Sequence, residues 1–232
     1  MIEIRLAKDR GHTSSQWLIS HHSFSFAEYY DPKYMHFSNL RVINEDTIAP
    51  NSGFPMHSHK DMEIITYMIQ GELTHQDSLG NSSTIKPGEV QLMRAGSGIT
   101  HSEHNLHPKT QAHLLQIWIV PKRKNLPPYY QQKNVATTIT QNQLCKIISA
   151  DKITGVLQIQ QDVEIYLAKL NKYSLNHSIA ANHKIWLQII SGSMYLNNKY
   201  HLNKGDGVGI VDETQLIFEC QTQCEFILFD FS

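Results

Sequence analysis

The feature that most constrains the fold is a module that occurs twice along the chain. Asp61–Gly71 and His183–Gly192 are both apolar runs, rich in β-branched and aromatic residues, that end at a glycine. Lys86–Met93 and Lys204–Val211 each begin with a lysine, pass through a glycine followed by an acidic residue, and continue into another apolar segment. The same order of strand, glycine turn and strand predicts two copies of one β module.

Most of the remaining sequence predicts short strands as well. The N-terminal MIEIRLA alternates polar and apolar residues, and HLLQIWIV, from His113 to Val120, is the last clear strand of the first half. Helical periodicity is weak throughout. We therefore expect an all-β protein built as a sandwich or a barrel.

The stretch from Pro121 to about Gln143 separates the two modules. It is polar, contains two adjacent prolines and shows little periodic apolar signal, which is typical of a linker with local structure. A chain of 232 residues has room for two domains of the usual size. We expect an N-terminal domain at residues 1–135 and a C-terminal domain at residues 136–232.

Composition excludes several classes of function. A formal net charge of −1 provides no broad basic field for a phosphate backbone, which argues against nucleic-acid binding. The N-terminal residues are charged where a signal peptide needs an apolar core, and no stretch reaches the roughly 20 apolar residues of a membrane helix. The 3 cysteines are odd in number and lack zinc-type spacing. We expect a reduced, cytoplasmic protein without a membrane or nucleic-acid partner.

Two pairs of potential metal ligands lie in the first module only. His57 and His59 form one pair, and His101 and Glu103 form the other. Alternate side chains of an extended strand face the same side, so each pair can present both side chains to one site. The second module lacks both pairs. The predicted chemistry therefore belongs to the first half of the chain.

These four side chains form a ligand set for a transition metal. Three neutral imidazoles and a carboxylate suit iron, copper, nickel, manganese or zinc, whereas calcium prefers oxygen ligands. Such a set leaves one or two coordination positions for water, substrate or dioxygen, as a catalytic site requires. A lone H-x-H pair is often a loop feature without a metal role. The second pair, after the glycine-rich AGSGIT, strengthens the metal interpretation.

Glu63 is an alternative that the spacing leaves open. It shares strand parity with His57 and His59, so it could be a ligand, a base beside the ion or a group that orients a ligand. The remaining histidines have no matching spacing. We expect surface or hydrogen-bonded structural roles for His12, His21, His22, His36, His75, His104, His107, His113, His177, His183 and His201.

The two ligand-bearing segments resemble the motifs of a known family. GFPMHSHKDMEIITYMIQG and GEVQLMRAGSGITHSEHN resemble the two cupin motifs in the form used by pirins. HHSFSFAEYYDP, HQDSLGN and the ligand-poor second module are also similar to pirins, so the resemblance spans essentially the whole chain. Pirins are bicupins. The resemblance implies two tandem β-sandwich or jelly-roll barrels, with the metal in the N-terminal barrel.

The resemblance also implies a ligand set. The positions of this sequence that match the family's metal ligands are His57, His59, His101 and Glu103. The wider cupin pattern takes its carboxylate from the first motif, at the position of Glu63, but pirins take it from the second. Glu103 is therefore the implied ligand, and Glu63 a neighbour of the ligands. We expect one divalent transition-metal ion, with iron first and copper, nickel, manganese, cobalt or zinc as alternatives.

An enzymatic function follows from the same resemblance. Bacterial pirins similar to this chain have quercetin 2,3-dioxygenase activity, which opens the central ring of a flavonol with dioxygen and releases carbon monoxide. The implied substrates are a flavonol-like molecule and dioxygen, with Glu103 or Glu63 as the general base for the 3-hydroxyl. We expect a dry, apolar interior formed by Ile64, Met68, Met93 and Trp118.

A different class of function stays open. Nuclear pirins, which also resemble this chain, act as iron-dependent transcriptional co-regulators, and pirin-like proteins can bind metabolic enzymes. The alternative is a noncatalytic, metal-binding pirin that acts as a regulator through protein partners. Metal-assisted chemistry on another small molecule is a third option, because a fold does not fix a function.

Overall fold

The computed structural model describes residues 1–232, and its regular secondary structure is almost entirely β-strand. A single turn of 3-10 helix, Ala7–Asp9, is the only helix. The strands coincide with the apolar runs, because β-branched and aromatic side chains fit a pleated, half-buried surface. The all-β expectation is confirmed. None of the chain's helical segments has the length and apolar character that a membrane crossing requires.

Nineteen strands follow one another along the chain. In order they are β1 (Ile2–Arg5), β2 (Gly11–Ser14), β3 (Leu18–His22), β4 (Leu40–Ile48), β5 (Ser52–His59), β6 (Glu63–Gln70), β7 (Leu73–Asp77), β8 (Ser82–Ile85), β9 (Glu89–Arg94), β10 (Ile99–Asn105), β11 (Ala112–Ile119), β12 (Tyr129–Asn134), β13 (Leu144–Ser149), β14 (Leu157–Gln158), β15 (Val163–Ser178), β16 (Lys184–Leu196), β17 (Tyr200–Asn203), β18 (Gly207–Val211) and β19 (Gln215–Phe231). They divide between two compact units.

The N-terminal unit comprises Gly11–Ala136 and the short segment Ile159–Gln161. It contains a seven-stranded sheet, β12-β9-β6-β11-β4-β3-β2, and a four-stranded sheet, β5-β10-β7-β8. Side chains from the two sheets meet: Gln116 on β11 donates a hydrogen bond to Glu103 on β10. The unit is therefore a sandwich, as the strand pattern predicts.

The interior of this sandwich is layered. One apolar cluster contains Ile64 and Met93, and another contains Met68 and Leu114. Thr66 lies between Ile64 and Met68 on the inward side of β6, and its register partners Gln91 and Gln116 lie on the adjoining strands. Strand alternation thus places a polar layer between two apolar ones. The ligand-bearing strand β10 faces this layer.

The C-terminal unit comprises Met1–Arg10, Thr137–Gln158 and Asp162–Ser232. Its eight strands form one sheet in the order β1-β18-β16-β19-β15-β13-β14, with β17 paired to β16. An apolar cluster that includes Leu187, Phe218 and Phe226 fills its core. The three cysteines are buried and unpaired in this unit.

The strand pairings agree with the repeat found in the sequence. β6 lies between β9 and β11, and β16 lies between β18 and β19. Gly71 and Gly192, which end the equivalent runs, have φ values of +75° and +73°. A Cβ at Gly71 would lie 2.2 Å from the carbonyl oxygen of Gln111, and one at Gly192 would lie 1.9 Å from that of Gln223. Both modules need glycine at this turn for its backbone conformation and for the close approach of a neighbouring segment.

The boundary between the units differs from a single division at 135/136. Met1–Arg10 belongs to the C-terminal unit because β1 pairs antiparallel with β18, with Ile4 opposite Val208. Ile159–Gln161 belongs to the N-terminal unit, where the Gln161 side chain donates to the Val120 carbonyl at 2.7 Å. Alternation in a short segment predicts a strand but not its partner, so the sequence could not reveal these exchanges.

The expected linker also contains a strand. β12 (Tyr129–Asn134) pairs with β9 at the edge of the seven-stranded sheet. Its sequence, YYQQKN, is mostly polar and therefore shows weak apolar periodicity. Its side chains form hydrogen bonds instead: Gln132 accepts from Ser83 Oγ at 2.6 Å and from the Tyr130 hydroxyl at 2.7 Å. A polar edge strand is consistent with the linker composition.

The glycine turns generate a stability prediction. Gly71→Ala should lower the free energy of unfolding of the N-terminal unit by about 2–4 kcal/mol: about 1 kcal/mol from alanine at positive φ and the rest from overpacking against Gln111. Gly80→Ala is the matched control, because Gly80 has a φ of +89° but nothing within 4 Å of the position that a Cβ would occupy. Denaturant titration should show a loss of only about 1 kcal/mol for the control. Equal losses would contradict the close-approach argument.

Candidate metal centre

The register of β5 and β10 brings the three predicted imidazoles together. His101 lies directly opposite His57, and Ile99 lies opposite His59. Opposed residues of an antiparallel pair point to the same face, and so do alternate residues of one strand. The ring centroids are 4.4 Å apart for His57 and His101, 4.8 Å for His57 and His59, and 5.0 Å for His59 and His101.

Alternation along β10 places Glu103 on the same face as His101, toward the interior. The register shifts after His101, so that Glu103 lies opposite Phe54. The carboxylate accepts a hydrogen bond from Gln116 Nε2 at 2.8 Å and one from Thr66 Oγ1 at 3.4 Å. Glu103 is buried, and both donors come from the opposite sheet. The polar layer of the sandwich thus holds the carboxylate in place.

The donor set fits a transition-metal ion. One nitrogen from each of His57, His59 and His101 lies within 4.8 Å of the others. Nε2 of His101 is buried and has no hydrogen-bond partner, which is costly unless a ligand satisfies it. His57 uses Nδ1 to donate to the Pro55 carbonyl at 2.8 Å, so its Nε2 is available. A carboxyl oxygen of Glu103 joins His101 and His75 in a second such group.

The electrostatics of the site favour neutral imidazoles. Burial, reinforced by the neighbouring His101 and His57, lowers the pKa of His59 to about 4. Burial, reinforced by His57 and His75, lowers the pKa of His101 to about 3. Both rings are therefore neutral at pH 7. A neutral imidazole has the free lone pair that a metal ion requires.

His75 and Asp77 lie behind His101, although their spacing did not single them out. Register places His75 opposite Glu103, and Asp77 opposite His101. His75 Nδ1 is 3.3 Å from His101 Nδ1, and His75 Nε2 is 2.9 Å from Asp77 Oδ2. Burial acts to raise the pKa of Asp77, but hydrogen bonds from His75, Asn81 and Leu79 together hold it below its usual value. The clue in the sequence is that His75 and Asp77 share strand parity.

Glu63 does not join the cluster. Its carboxylate oxygens accept from the backbone N–H of Gln160 at 3.0 and 2.9 Å. Ile64 and Thr66 face the interior, so Glu63 points to the opposite side of β6. The parity argument that linked Glu63 to His59 fails because residues 60–62 lie outside the strands and Asp61 has a φ of +50°. Parity does not carry across such a loop.

Apolar side chains surround one side of the imidazole group. Trp118 packs edge-on against His59, with ring centroids 4.9 Å apart, and also contacts the buried cluster of Ile64, Met93 and Ile99. Met68 is buried as well, but in the other apolar cluster. A cleft of about 590 Å³ opens beside His59, with Ser58, Lys60, Ser78 and Thr100 among its lining residues. The candidate site therefore combines a dry wall with a polar entrance.

Comparisons with known proteins agree with this architecture. The family model described as Pirin matches residues 3–119, and the model described as Quercetinase C-terminal cupin domain matches residues 146–231. The chain is 42% identical over 231 residues to the quercetin 2,3-dioxygenase of Escherichia coli K12, covering 99% of this chain and 98% of that relative. The expected fold, with two cupin-type β domains, is confirmed.

Two solved structures are similar along the whole chain. The crystal structure of YhhW from Escherichia coli has a TM-score of 0.95 and 41% identity, covering 100% of this chain and 98% of that one. The structure of the bacterial pirin YhhW from Escherichia coli in complex with nickel(II) has a TM-score of 0.94 and 41% identity, covering 100% of this chain and 99% of that one.

The position of Glu63 generates a pH prediction. Burial raises its pKa from 4.5 to about 7, against the lowering effects of the Gln160 N–H and Arg94. The folded state therefore holds this proton more tightly than the unfolded state, and the stability it contributes is lost as pH rises from 4.5 through 7. Relative to wild type, Glu63→Gln should gain about 3 kcal/mol of unfolding free energy over that interval.

Denaturant titrations at several pH values would measure this difference. Glu28→Gln, the same substitution at an exposed side chain, is the matched control, and the pH-dependent gain of Glu63→Gln should exceed that of this control. A pH-independent difference for Glu63→Gln would contradict the assignment.

Proposed function

This chain belongs to the pirin family, and we propose that it is a metal-dependent dioxygenase that opens the central ring of a flavonol such as quercetin with dioxygen and releases carbon monoxide. The observation that carries the proposal is the convergence of the His57, His59 and His101 imidazoles beside an open cleft, with the buried carboxylate of Glu103 next to His101. The similarity to a quercetin 2,3-dioxygenase over almost the full length of both chains supports this choice of reaction.

The proposed metal ligands are His57, His59, His101 and Glu103. A divalent transition ion held by them would act as a Lewis acid and stabilise the anion of a bound hydroxyl group. The donor set accommodates iron, nickel, copper, manganese, cobalt or zinc, because imidazole and carboxylate ligands suit all of them. Iron remains our expectation, and the nickel(II) complex of a similar bacterial pirin supports a divalent transition ion in general.

We assign the acceptor of the flavonol 3-hydroxyl proton to Glu103. Its Oε2 is fixed by Gln116 at 2.8 Å, whereas Oε1 has only the longer contact with Thr66 at 3.4 Å. Oε1 is therefore the oxygen with more freedom to accept a proton from substrate. We prefer Glu103 to Glu63 for this role because the Glu63 carboxylate accepts hydrogen bonds from the Gln160 backbone N–H.

The surrounding residues would bind the flavonol and exclude water. Trp118 presents an aromatic ring beside His59, and its Nε1 is a buried donor without a partner. Such a donor favours a ligand that offers an oxygen acceptor. Ile64 and Met93 supply the apolar wall, and Lys60 at the cleft provides a cationic group near the entrance. The alternative role, regulation through a protein partner, stays a prediction.

The proposed reaction has a direct test. Metal-loaded protein should consume a flavonol and dioxygen and release carbon monoxide in equal molar amounts. Oxygen uptake, loss of flavonol absorbance and trapped carbon monoxide would be measured with iron, copper, nickel, manganese, cobalt and zinc. Absence of turnover with every ion across a panel of flavonols would reject the dioxygenase proposal.

The proposed ligands have a separate test. His57→Ala and His101→Ala should each remove the ion and the activity together, because each variant deletes a nitrogen donor from the set. His104→Ala is the matched control: His104 follows Glu103 on the same strand, and alternation directs it to the other side of β10. Elemental analysis should show wild-type metal content for the control. Wild-type metal content in His57→Ala or His101→Ala would show that the ligand assignment is wrong.

A further inference from the structure

We infer that Asp77 and His75 are positioning residues that keep the proton of neutral His101 on Nδ1 and leave Nε2 as its metal-binding nitrogen. The inference rests on the proposed metal site, and it assigns a role to two residues outside the ligand set. Two consecutive hydrogen bonds, from His101 to His75 and from His75 to Asp77, carry it together with the unpartnered Nε2 of His101.

The first step fixes the direction of the bond between His75 and Asp77. Asp77 Oδ1 accepts from the backbone N–H of Leu79 at 2.9 Å and of Asn81 at 3.1 Å, and Oδ2 accepts from Asn81 Nδ2 at 2.9 Å. Donors converge on both oxygens, so the carboxylate acts only as an acceptor. His75 Nε2, 2.9 Å from Oδ2, must therefore carry the proton.

The second step determines which ring nitrogen of His101 carries its proton. In a neutral imidazole one nitrogen donates and the other accepts. If the His75 ring holds a single proton, that proton is on Nε2 and the lone pair is on Nδ1, which lies 3.3 Å from Nδ1 of His101. His101 must then donate from Nδ1.

The third step concerns the remaining nitrogen of His101. With its proton on Nδ1, the ring has a lone pair on Nε2, and this is the buried atom that lacks a partner. His57 also has its Nδ1 hydrogen-bonded and its Nε2 left for a metal ion, because its Nδ1 donates directly to the Pro55 carbonyl at 2.8 Å. Two rings of the ligand group thus present the same nitrogen.

Packing holds the positioning residues themselves. The His75 ring is fully buried and stacks on Tyr130, with centroids 4.8 Å apart and planes at 27°. The Tyr130 hydroxyl donates to Gln132 Oε1 at 2.7 Å. Although a His75 nitrogen lies within 4.8 Å of donor atoms of His101 and Glu103, both of its ring nitrogens are already hydrogen-bonded. These bonds make His75 a support for the ligands and not a competing ligand.

Wild-type protein provides the first measurement. Nitrogen-15 NMR of histidine-labelled, metal-free protein at pH 7 should show His101 protonated at Nδ1 and unprotonated at Nε2. A proton on Nε2 would overturn the inference. This readout needs neither a variant nor a bound ion.

The Asp77→Asn variant should reverse the direction of the hydrogen bonds that link Asp77, His75 and His101. In Asp77→Asn the N–H groups of Leu79 and Asn81 would retain the amide oxygen at the Oδ1 position. The amide NH₂ would then face His75 Nε2 and lose the hydrogen bond from Asn81 Nδ2. His75 would then donate from Nδ1, and His101 would carry its proton on Nε2. We expect the NMR spectrum to show this exchange and affinity for nickel(II), measured by competition with a chromophoric chelator, to fall about 10–100-fold.

Asp230→Asn is the matched control. Asp230 accepts from His183 Nδ1 at 2.6 Å in the C-terminal unit, so the same chemical change is made beside a histidine away from the site. Its nickel(II) affinity should equal that of wild type. For Asp77→Asn, an unchanged His101 tautomer or an unchanged affinity overturns the inference. If wild-type protein binds no ion, the proposed metal site fails, while the wild-type tautomer still decides the positioning role.

Discussion

The candidate site depends on the pairing of β5 with β10. Each strand carries two potential ligands at alternate positions, and the register sets His101 opposite His57. One residue of slip would turn a strand's ligands to the other face, because side chains alternate with a period of two. The bulge after His101 then permits Phe54 to pack into the apolar interior while Glu103 remains within reach of Gln116. Backbone pairing therefore determines the geometry of the donor set before any ion is considered.

The two modules use the same strand order for different interiors. In the N-terminal unit, Thr66, Gln116 and Glu103 form hydrogen bonds within a buried polar layer. In the C-terminal unit, Phe218 and Phe226 pack together in an apolar core, with ring centroids 5.0 Å apart. Burying polar groups requires partners for each of them, whereas apolar filling stabilises a module without that requirement. This contrast gives a physical reason why a ligand-poor repeat can retain the fold.

Local sequence patterns predicted the fold class and the four clustered side chains, because both depend on strand alternation. Glu63 was misplaced since the turn at Asp61 interrupts that alternation. His75 was overlooked because its importance comes from a register across two strands, β7 and β10, which no local spacing encodes. The pairing of β1 with β18, near the other end of the chain, could not be predicted from local sequence either. What the sequence lacked in each case was knowledge of long-range strand pairing.

We propose that His57, His59, His101 and Glu103 together bind one transition-metal ion. Anomalous diffraction from crystals of protein purified without added metal, collected across the absorption edges of the first-row metals, tests it most directly. We expect one anomalous peak about 2.0–2.2 Å from Nε2 of His57 and His101, a nitrogen of His59 and a carboxylate oxygen of Glu103. A peak coordinated by His75, or no peak at this cluster in metal-replete crystals, would contradict it.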